Sequence, residues 1–157
     1  MSALQIKQIP VLQDNYTYLV HDQQSGQSLV VDPALSQPVL DRAAALGWNI
    51  NWIINTHHHP DHVDGNLAIK HQTGCQIVGP RADSARIPGI DQLVGDGDTF
   101  RLGERKATVL DIPGHTKGHI AYAFCADKAL FSGDTIFVLG CGRMFEGTAR
   151  QMWQSLL

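Results

Sequence analysis

Basic clusters, long apolar runs and paired cysteines are all missing from this sequence. No apolar run reaches the roughly 18 residues that a membrane-spanning helix needs. The 12 Lys and Arg are outnumbered by 15 Asp and Glu, and the formal net charge of −3 gives no electrostatic support for nucleic acid binding. The first ten residues lack the basic start and apolar centre of a secretory signal peptide. We therefore expect neither nucleic acid nor a membrane among the partners.

The cysteines are Cys75, Cys125 and Cys141, which is an odd number without a Cys-x-x-Cys pair. This usage is typical of reduced thiols in the cytoplasm, and we expect all three to be small core residues rather than metal ligands. Of the 157 residues, 43% are hydrophobic and 17% are charged, which is typical of one globular domain with a sizeable core.

Short apolar segments separated by turns predict an α/β fold with layered helices and sheets. A meander of three strands is expected first, followed by a helix at 38–46 that Ser36 caps and Gly47 ends. Residues 81–93 are expected to be irregular, and Thr148 is expected to cap a last helix. The remaining predicted elements are strands at 52–55, 75–79, 99–102, 105–112, 120–125 and 129–132 and a helix at 66–72.

The segment Thr56-His-His-His-Pro-Asp-His62 is rich in side chains that can bind a metal, and four of them, His57, His59, Asp61 and His62, are candidate ligands within six residues. It directly follows the apolar strand predicted at 52–55. In extended backbone, residues i and i+2 point the same way, so His57 and His59 can bind one ion together. Pro60 ends the extended run, and Asp61 and His62 then turn away, which suggests two adjacent ions. The alternative is a surface histidine tract that binds metal weakly.

Two other predicted strands are also followed by a side chain that can bind a metal. His115 follows the strand ending at Ile112, and Asp134 follows the strand ending at Ser132. Side chains at the carboxyl ends of neighbouring strands converge at one edge of a sheet. Imidazole and carboxylate ligands without thiolate suit zinc, and iron or manganese less specifically. His119 could add a ligand if its loop coils, whereas His58 is expected to face away from the ions.

Four segments of the chain resemble the metallo-β-lactamase superfamily, and within it the glyoxalase II (hydroxyacylglutathione hydrolase) family. The resemblance extends over essentially the whole chain, and the glycine-rich fourth segment is the one that favours glyoxalase II. Asp14-Asn-Tyr16 and Val31-Asp-Pro33 also look like that family. The four segments are Thr56-His-His-His-Pro-Asp-His62, Pro113-Gly-His-Thr-Lys-Gly-His119, Phe131-Ser-Gly-Asp-Thr135 and Gly140-Cys-Gly-Arg-Met-Phe-Glu-Gly-Thr148.

The resemblance implies an αββα sandwich with two divalent metal ions, most simply zinc, at its edge. The ligands it implies are His57, His59 and His115 for the first ion, Asp61 and His62 for the second, and Asp134 between them. It also implies one more histidine for the second ion and a C-terminal helical domain that binds glutathione. Neither is found within residues 1–157, so we expect these residues to form a truncated metallo-β-lactamase-like domain.

The expected activity is hydrolysis of S-(2-hydroxyacyl)glutathione, for example S-D-lactoylglutathione, to glutathione and a 2-hydroxy acid such as D-lactate. The resemblance implies that a hydroxide bridging the two ions would attack the thioester carbonyl. Asp61 and Asp134 would hold and orient that hydroxide. Arg143 and Phe145 are the expected substrate-binding residues, since Arg143 can attract an anionic glutathione conjugate. The alternatives are a persulfide dioxygenase or lactonase of the same superfamily, and an inactive metal-binding fragment.

Overall fold

Residues 3–157 are described by a computed structural model in which two β-sheets pack face to face. The first half contains β1 Gln5–Val11, β2 Asn15–Asp22, β3 Gln27–Val31, α1 Ser36–Leu46, β4 Ile50–Ile54, α2 Pro60–Val63, α3 Asn66–Thr73 and β5 Gln76–Pro80. The second half contains a 3₁₀ helix at Arg81–Arg86, β6 Gln92–Val94, β7 Thr99–Leu102, β8 Arg105–Asp111, β9 Ile120–Phe124, β10 Ala129–Phe131 and α4 Ala149–Ser155.

The larger sheet has six strands in the order β1 to β6, and the smaller has four in the order β10-β9-β8-β7. In the larger sheet, β1, β2 and β3 are antiparallel, whereas β3, β4, β5 and β6 run parallel. The smaller sheet is entirely antiparallel. The predicted meander, the parallel strands and the layered α/β class are therefore confirmed.

Two apolar cores separate the layers. One lies between the larger sheet and helices α1 and α3, and the other lies between the two sheets. Neighbouring residues of one strand alternate between them, since Leu19 belongs to the first core and Val20 to the second. Strands covered on both faces are apolar at consecutive positions, as in Leu29-Val-Val31 and Ile53-Ile54. This burial makes β4 a rigid base for the loop that follows it.

Helix ends follow local sequence signals in two of three predicted places. Gly47 ends α1 in the left-handed conformation, and Thr148 caps α4 in a capping box with Gln151. The prediction for Ser36 was wrong, because Leu35 is the N-cap of α1 and no side chain caps that end. Ser36 is instead the first helical residue.

Two further predictions were wrong. The prediction that residues 81–93 are irregular was wrong at both ends, since 81–86 form the 3₁₀ helix and 92–94 form β6, which pairs with β5 and extends the parallel sheet. Of the three cysteines only Cys75 is buried, whereas the free thiols of Cys125 and Cys141 are exposed. Across residues 3–157 we find no helix both long and apolar enough to span a membrane.

The two sheets are also joined by a buried ion pair at one end of the sandwich. Asp22 ends β2 and is 1% exposed, and its Oδ1 accepts a hydrogen bond of 2.8 Å from Arg105 Nε at the start of β8. Ser25 Oγ donates to Asp22 Oδ2 at 2.6 Å. Burial by itself raises the pKa of Asp22, but these hydrogen bonds outweigh it and lower the pKa to about 2.

We expect the free energy of unfolding of the wild-type chain to fall by about 2 kcal/mol more than that of Asp22→Asn between about pH 5 and pH 2. The folded pKa of Asp22 is about 2, below the ordinary 3.8 of the unfolded chain. The stabilisation is therefore fully present above the unfolded value and is lost as the pH falls through the folded one. Urea titrations followed by circular dichroism at several pH values would measure it.

Glu104→Gln is the matched control, since Glu104 is an exposed carboxylate in the turn directly before Arg105. It should show the same pH dependence as the wild type. Stability curves of wild type and Asp22→Asn that run parallel over this range would contradict the assigned pair.

Candidate metal centre

Three loops meet at one edge of the sandwich, and each begins where a strand ends. One follows β4 at Ile54, one follows β8 at Asp111, and one follows β10 at Phe131. The first two are tied together through the backbone, because Ile120 N–H donates to Thr56 O at 2.9 Å. The sequence-based expectation that these loops share an edge is confirmed.

Three imidazole nitrogens from two of these loops face one another. His59 Nδ1 lies 3.1 Å from His57 Nε2 and 2.9 Å from His115 Nε2. His57 and His115 are buried, at 0% and 3% exposure. Nitrogens bound to one tetrahedral zinc at about 2.0–2.1 Å lie about 3.3 Å apart, so this spacing is close to that of a shared ion. The structure thus brings together the three residues expected at the first ion.

Partners on the far side of two rings direct lone pairs toward this point. His57 Nδ1 lies 3.0 Å from Thr56 Oγ1, and that hydroxyl donates to Asp32 Oδ2 at 2.6 Å, so His57 Nδ1 is the donor of the pair. His115 Nδ1 donates to the carbonyl oxygen of Arg143 at 2.6 Å. Both rings therefore carry their proton on Nδ1 and leave Nε2 free as a ligand atom.

The environment keeps the His57 and His59 rings neutral. Burial lowers the pKa of His57 well below its ordinary value, and neighbouring imidazoles, His62 first, lower it further. Burial also lowers the pKa of His59, with a further contribution from His115. Neutral imidazoles are the form that binds metal, so these two rings are available as metal ligands.

The Asp134 carboxylate spans the gap to a second group of donors. Its Oδ2 lies 3.3 Å from His115 Nε2, and its Oδ1 lies 3.2 Å from His62 Nε2. Asp61 Oδ2 is 3.5 Å from the same His62 nitrogen, and Asn15 Nδ2 donates to the Asp61 carbonyl at 2.7 Å. His62 Nε2 is buried without a hydrogen bond of good geometry to any residue in 3–157. This orphaned nitrogen between two carboxylates is a further indication of a bound cation.

Asp32, His57 and His62 form a second close group, with one donor atom of each within 4.8 Å of the others. We interpret this group as a support and not as an ion site. Asp32 Oδ1 already accepts from Thr56 N–H at 2.8 Å, and its Oδ2 accepts from Thr56 Oγ1 and lies 3.1 Å from His62 Nδ1. Asp32 was not among the site residues predicted from the sequence, although Val31-Asp-Pro33 resembles the family.

His119 does not supply a ligand atom, because both of its ring nitrogens are engaged. Its Nδ1 donates to Ile120 O at 3.1 Å, and its Nε2 accepts from Asp134 N–H at 3.2 Å. Burial lowers the pKa of His119 to about 3, so the ring is neutral. His119 stacks on His57 with centroids 4.5 Å apart and holds the Asp134 backbone in place. His58 faces away from the other donors toward Asp83, as expected.

The glycine-rich segment 140–148 folds over the His115 loop. Gly142 N–H donates to Asp134 O at 2.9 Å, and a Cβ at Gly142 would overlap that same carbonyl oxygen. The Phe145 ring lies against His59 and His115, with centroids 5.5 Å and 5.3 Å away. Phe145 and the Arg143 side chain are both exposed. The two expected substrate-binding residues therefore lie beside the donor atoms, on the solvent side.

Chemistry and geometry together fit divalent metal ions. The His57 and His115 rings direct free lone pairs toward His59 Nδ1, and a carboxylate lies between two groups of donors. The buried His62 Nε2 faces two carboxylates without a well-oriented hydrogen bond to any described residue. Nitrogen and oxygen donors of this kind are typical of zinc, iron and manganese sites.

Comparison with known proteins agrees with this geometry. The model of the metallo-beta-lactamase superfamily matches residues 10–157. A hydroxyacylglutathione hydrolase of Methylococcus capsulatus is 58% identical over 153 residues, which cover 98% of this chain and 60% of that protein. The chain spans about three fifths of the length of the curated relatives it matches.

Solved structures share the fold. A structure of the BLEG-1 B3 metallo-beta-lactamase has a TM-score of 0.86 at 20% identity and covers 97% of this chain and 83% of that one. A structure of ETHE1 from Myxococcus xanthus has a TM-score of 0.77 at 30% identity and covers 96% and 67%. Since the family match extends from β1 through α4, this chain belongs to the metallo-beta-lactamase superfamily.

Proposed function

We propose that this chain holds the metal centre of a hydroxyacylglutathione hydrolase, which splits S-(2-hydroxyacyl)glutathione into glutathione and a 2-hydroxy acid. The observation that carries the proposal is the convergence of His57 Nε2, His59 Nδ1 and His115 Nε2 beside the Asp134 carboxylate. The identity of 58% to a protein of that name supports this substrate class over others in the superfamily. We also propose that residues 1–157 form one metallo-β-lactamase-type domain.

In this proposal the donors divide into two ion sites. His57, His59 and His115 hold one divalent ion, and Asp61 and His62 contribute to a second. Asp134 lies between them, because its two oxygens face His115 and His62. Zinc is the metal that this donor set favours, with iron and manganese as alternatives. Divalent ions supply Lewis acidity and lower the pKa of water from about 15.7 to about 7.

The protein's own contribution is to place the substrate and the water. The carboxylates of Asp61 and Asp134 are available to orient a water molecule, since both lie within 3.5 Å of His62 Nε2. Phe145 offers an exposed apolar face beside the histidines, and the Arg143 side chain extends into solvent, where it attracts an anionic conjugate. A thioester needs little acid catalysis, because a thiol of pKa about 8.5 leaves readily as the thiolate.

A cytoplasmic location is proposed as well. Its support is the state of the cysteines, since Cys75, Cys125 and Cys141 are free thiols. Reduced thiols and a glutathione conjugate as substrate are both typical of that compartment.

The first test is turnover of S-D-lactoylglutathione, with metal analysis of the same sample. We expect steady release of thiol and D-lactate with bound divalent metal, and loss on removal of the metal by a chelator. His59→Ala and Asp134→Ala should each lower turnover by more than about 100-fold, because each removes a proposed metal ligand and not merely a residue that supports a ligand.

His71→Ala is the matched control, since His71 is an exposed histidine on α3 and should leave turnover unchanged. A folded, metal-loaded sample that released neither thiol nor D-lactate would contradict the proposed function. Consumption of oxygen with a persulfide substrate would favour a dioxygenase instead.

Thr56→Val tests the proposed first site without substrate. The change removes the hydroxyl between His57 Nδ1 and Asp32, so the His57 ring loses the partner that fixes its tautomer. Losing such a partner typically weakens metal affinity by about 10–100-fold. Competition with a chromophoric chelator would measure the affinity.

Thr135→Val is the control for that change. Thr135 is buried next to Asp134, but its hydroxyl makes no hydrogen bond to the residues in 3–157. Its replacement should leave the metal affinity within about twofold, since no bonded partner is lost. Equal losses in both variants would mean that Thr56 acts through packing alone.

A further inference from the structure

Arg86 joins two carboxylates, Asp83 and Glu146, that contact different loops beside the metal centre. It is the last residue of the 3₁₀ helix Arg81–Arg86 and is not itself a metal donor. Its Nη2 donates to Asp83 Oδ1 at 2.6 Å and to Glu146 Oε2 at 3.1 Å, and its Nη1 pairs with Glu146 Oε1. The guanidinium therefore connects the 3₁₀ helix to the glycine-rich segment 140–148.

The Asp83 side of this network reaches the histidine segment. Asp83 is 2% exposed, and its Oδ2 lies 2.9 Å from His58 Nδ1, between His57 and His59 in the chain. A buried carboxylate needs compensating partners, and Arg86 is a cation in contact with it. A Cβ at Gly118 would overlap the Asp83 carboxylate, so the His115 loop packs directly against it.

The Glu146 side reaches the His115 loop. Glu146 Oε2 accepts from Lys117 N–H at 2.9 Å, and Oε1 lies 3.7 Å from His58 Nε2. The neighbouring Phe145 N–H donates to His115 O at 3.1 Å. Three residues before Glu146 stands the Arg143 carbonyl, which accepts the Nδ1 proton of His115. A shift of Glu146 would therefore move both the acceptor that orients His115 and the ring that covers it.

We propose that Arg86 is a positioning residue of the metal centre: through Asp83 and Glu146 it fastens the glycine-rich segment to the two loops that carry the facing histidines. Arg86 touches no donor atom and acts by holding the Arg143 carbonyl and the Phe145 ring in place. The inference rests on the proposed metal centre but not on the thioester substrate.

The test is the affinity of the full chain for Co²⁺, a spectroscopic probe of the site, measured by chelator competition together with the visible absorption of the bound ion. Arg86→Ala should weaken Co²⁺ binding by about 10–100-fold and change the visible spectrum, because the His115 partner is no longer held. Arg86→Lys should recover part of the affinity, since an ammonium can keep contact with one carboxylate but does not reproduce the forked contacts.

The coupling of the two partners is tested by a double-mutant cycle. Glu146→Gln should lower Co²⁺ affinity in the same direction, and adding it to Arg86→Ala should cost little more, because both changes remove one connection. Additive losses would overturn the proposed link between Arg86 and Glu146.

Arg81→Ala is the matched control on the same 3₁₀ helix. Arg81 pairs with Asp98 at 3.3 Å, and both side chains are largely exposed. Arg81→Ala should leave the Co²⁺ affinity and the visible spectrum unchanged.

A lowered melting temperature with unaltered Co²⁺ affinity and spectrum in Arg86→Ala would overturn the proposal and assign Arg86 a structural role only. If Arg86→Ala does not fold, Arg86→Lys and Glu146→Gln decide the question by the same measurements. Absence of thioesterase activity in the wild type would contradict the proposed function and leave this inference standing.

Discussion

The structure depends on holding His59 Nδ1 about 3 Å from both His57 Nε2 and His115 Nε2. Without a cation this arrangement is unfavourable, because no proton is shared among all three and burial disfavours a charged ring. It persists because two of the three rings are fixed on their far side. His57 is fixed by Thr56 and Asp32, His115 by the Arg143 carbonyl, and a stacked His119 covers the face of His57. Hydrogen bonds within the fold therefore hold these rings in an orientation suited to metal binding.

Strand burial gives those hydrogen bonds a fixed frame. Ile53 and Ile54 of β4 are fully buried in opposite cores, so the backbone that leads into His57 has no room to shift. Tyr122 on the facing sheet donates to Asn55 O at 3.1 Å and ties the two sheets together directly beneath the loop. A strand that is packed on both faces moves little. A loop anchored to it therefore keeps its donor atoms in place to within fractions of an ångström.

Much of this site could be predicted from the sequence, and the physical reason is that its signals are local. A continuous apolar strand followed by alternating histidines specifies which side chains share a side, and strand ends specify which loops meet. The role of Asp32 was missed, because its contact with Thr56 spans 24 residues and no local pattern reports it. The Arg143 carbonyl was missed for a different reason, since every residue has one. The 3₁₀ helix at Arg81–Arg86 lacks the periodicity that a longer helix would show.

The glycine-rich segment 140–148 supports the His115 loop in two ways, through the missing side chain of Gly142 and through the backbone carbonyl of Arg143. Gly142 meets a steric one, because a side chain there would overlap the Asp134 carbonyl and push the segment away from His115. Arg143 meets a requirement on the backbone, through its carbonyl, while its side chain stays in solvent. Replacing the Arg143 side chain therefore leaves the support of His115 intact, whereas replacing Gly142 disturbs it. It follows that Gly142 and the Arg143 carbonyl support the His115 loop, whereas the exposed Arg143 side chain is not needed for that support.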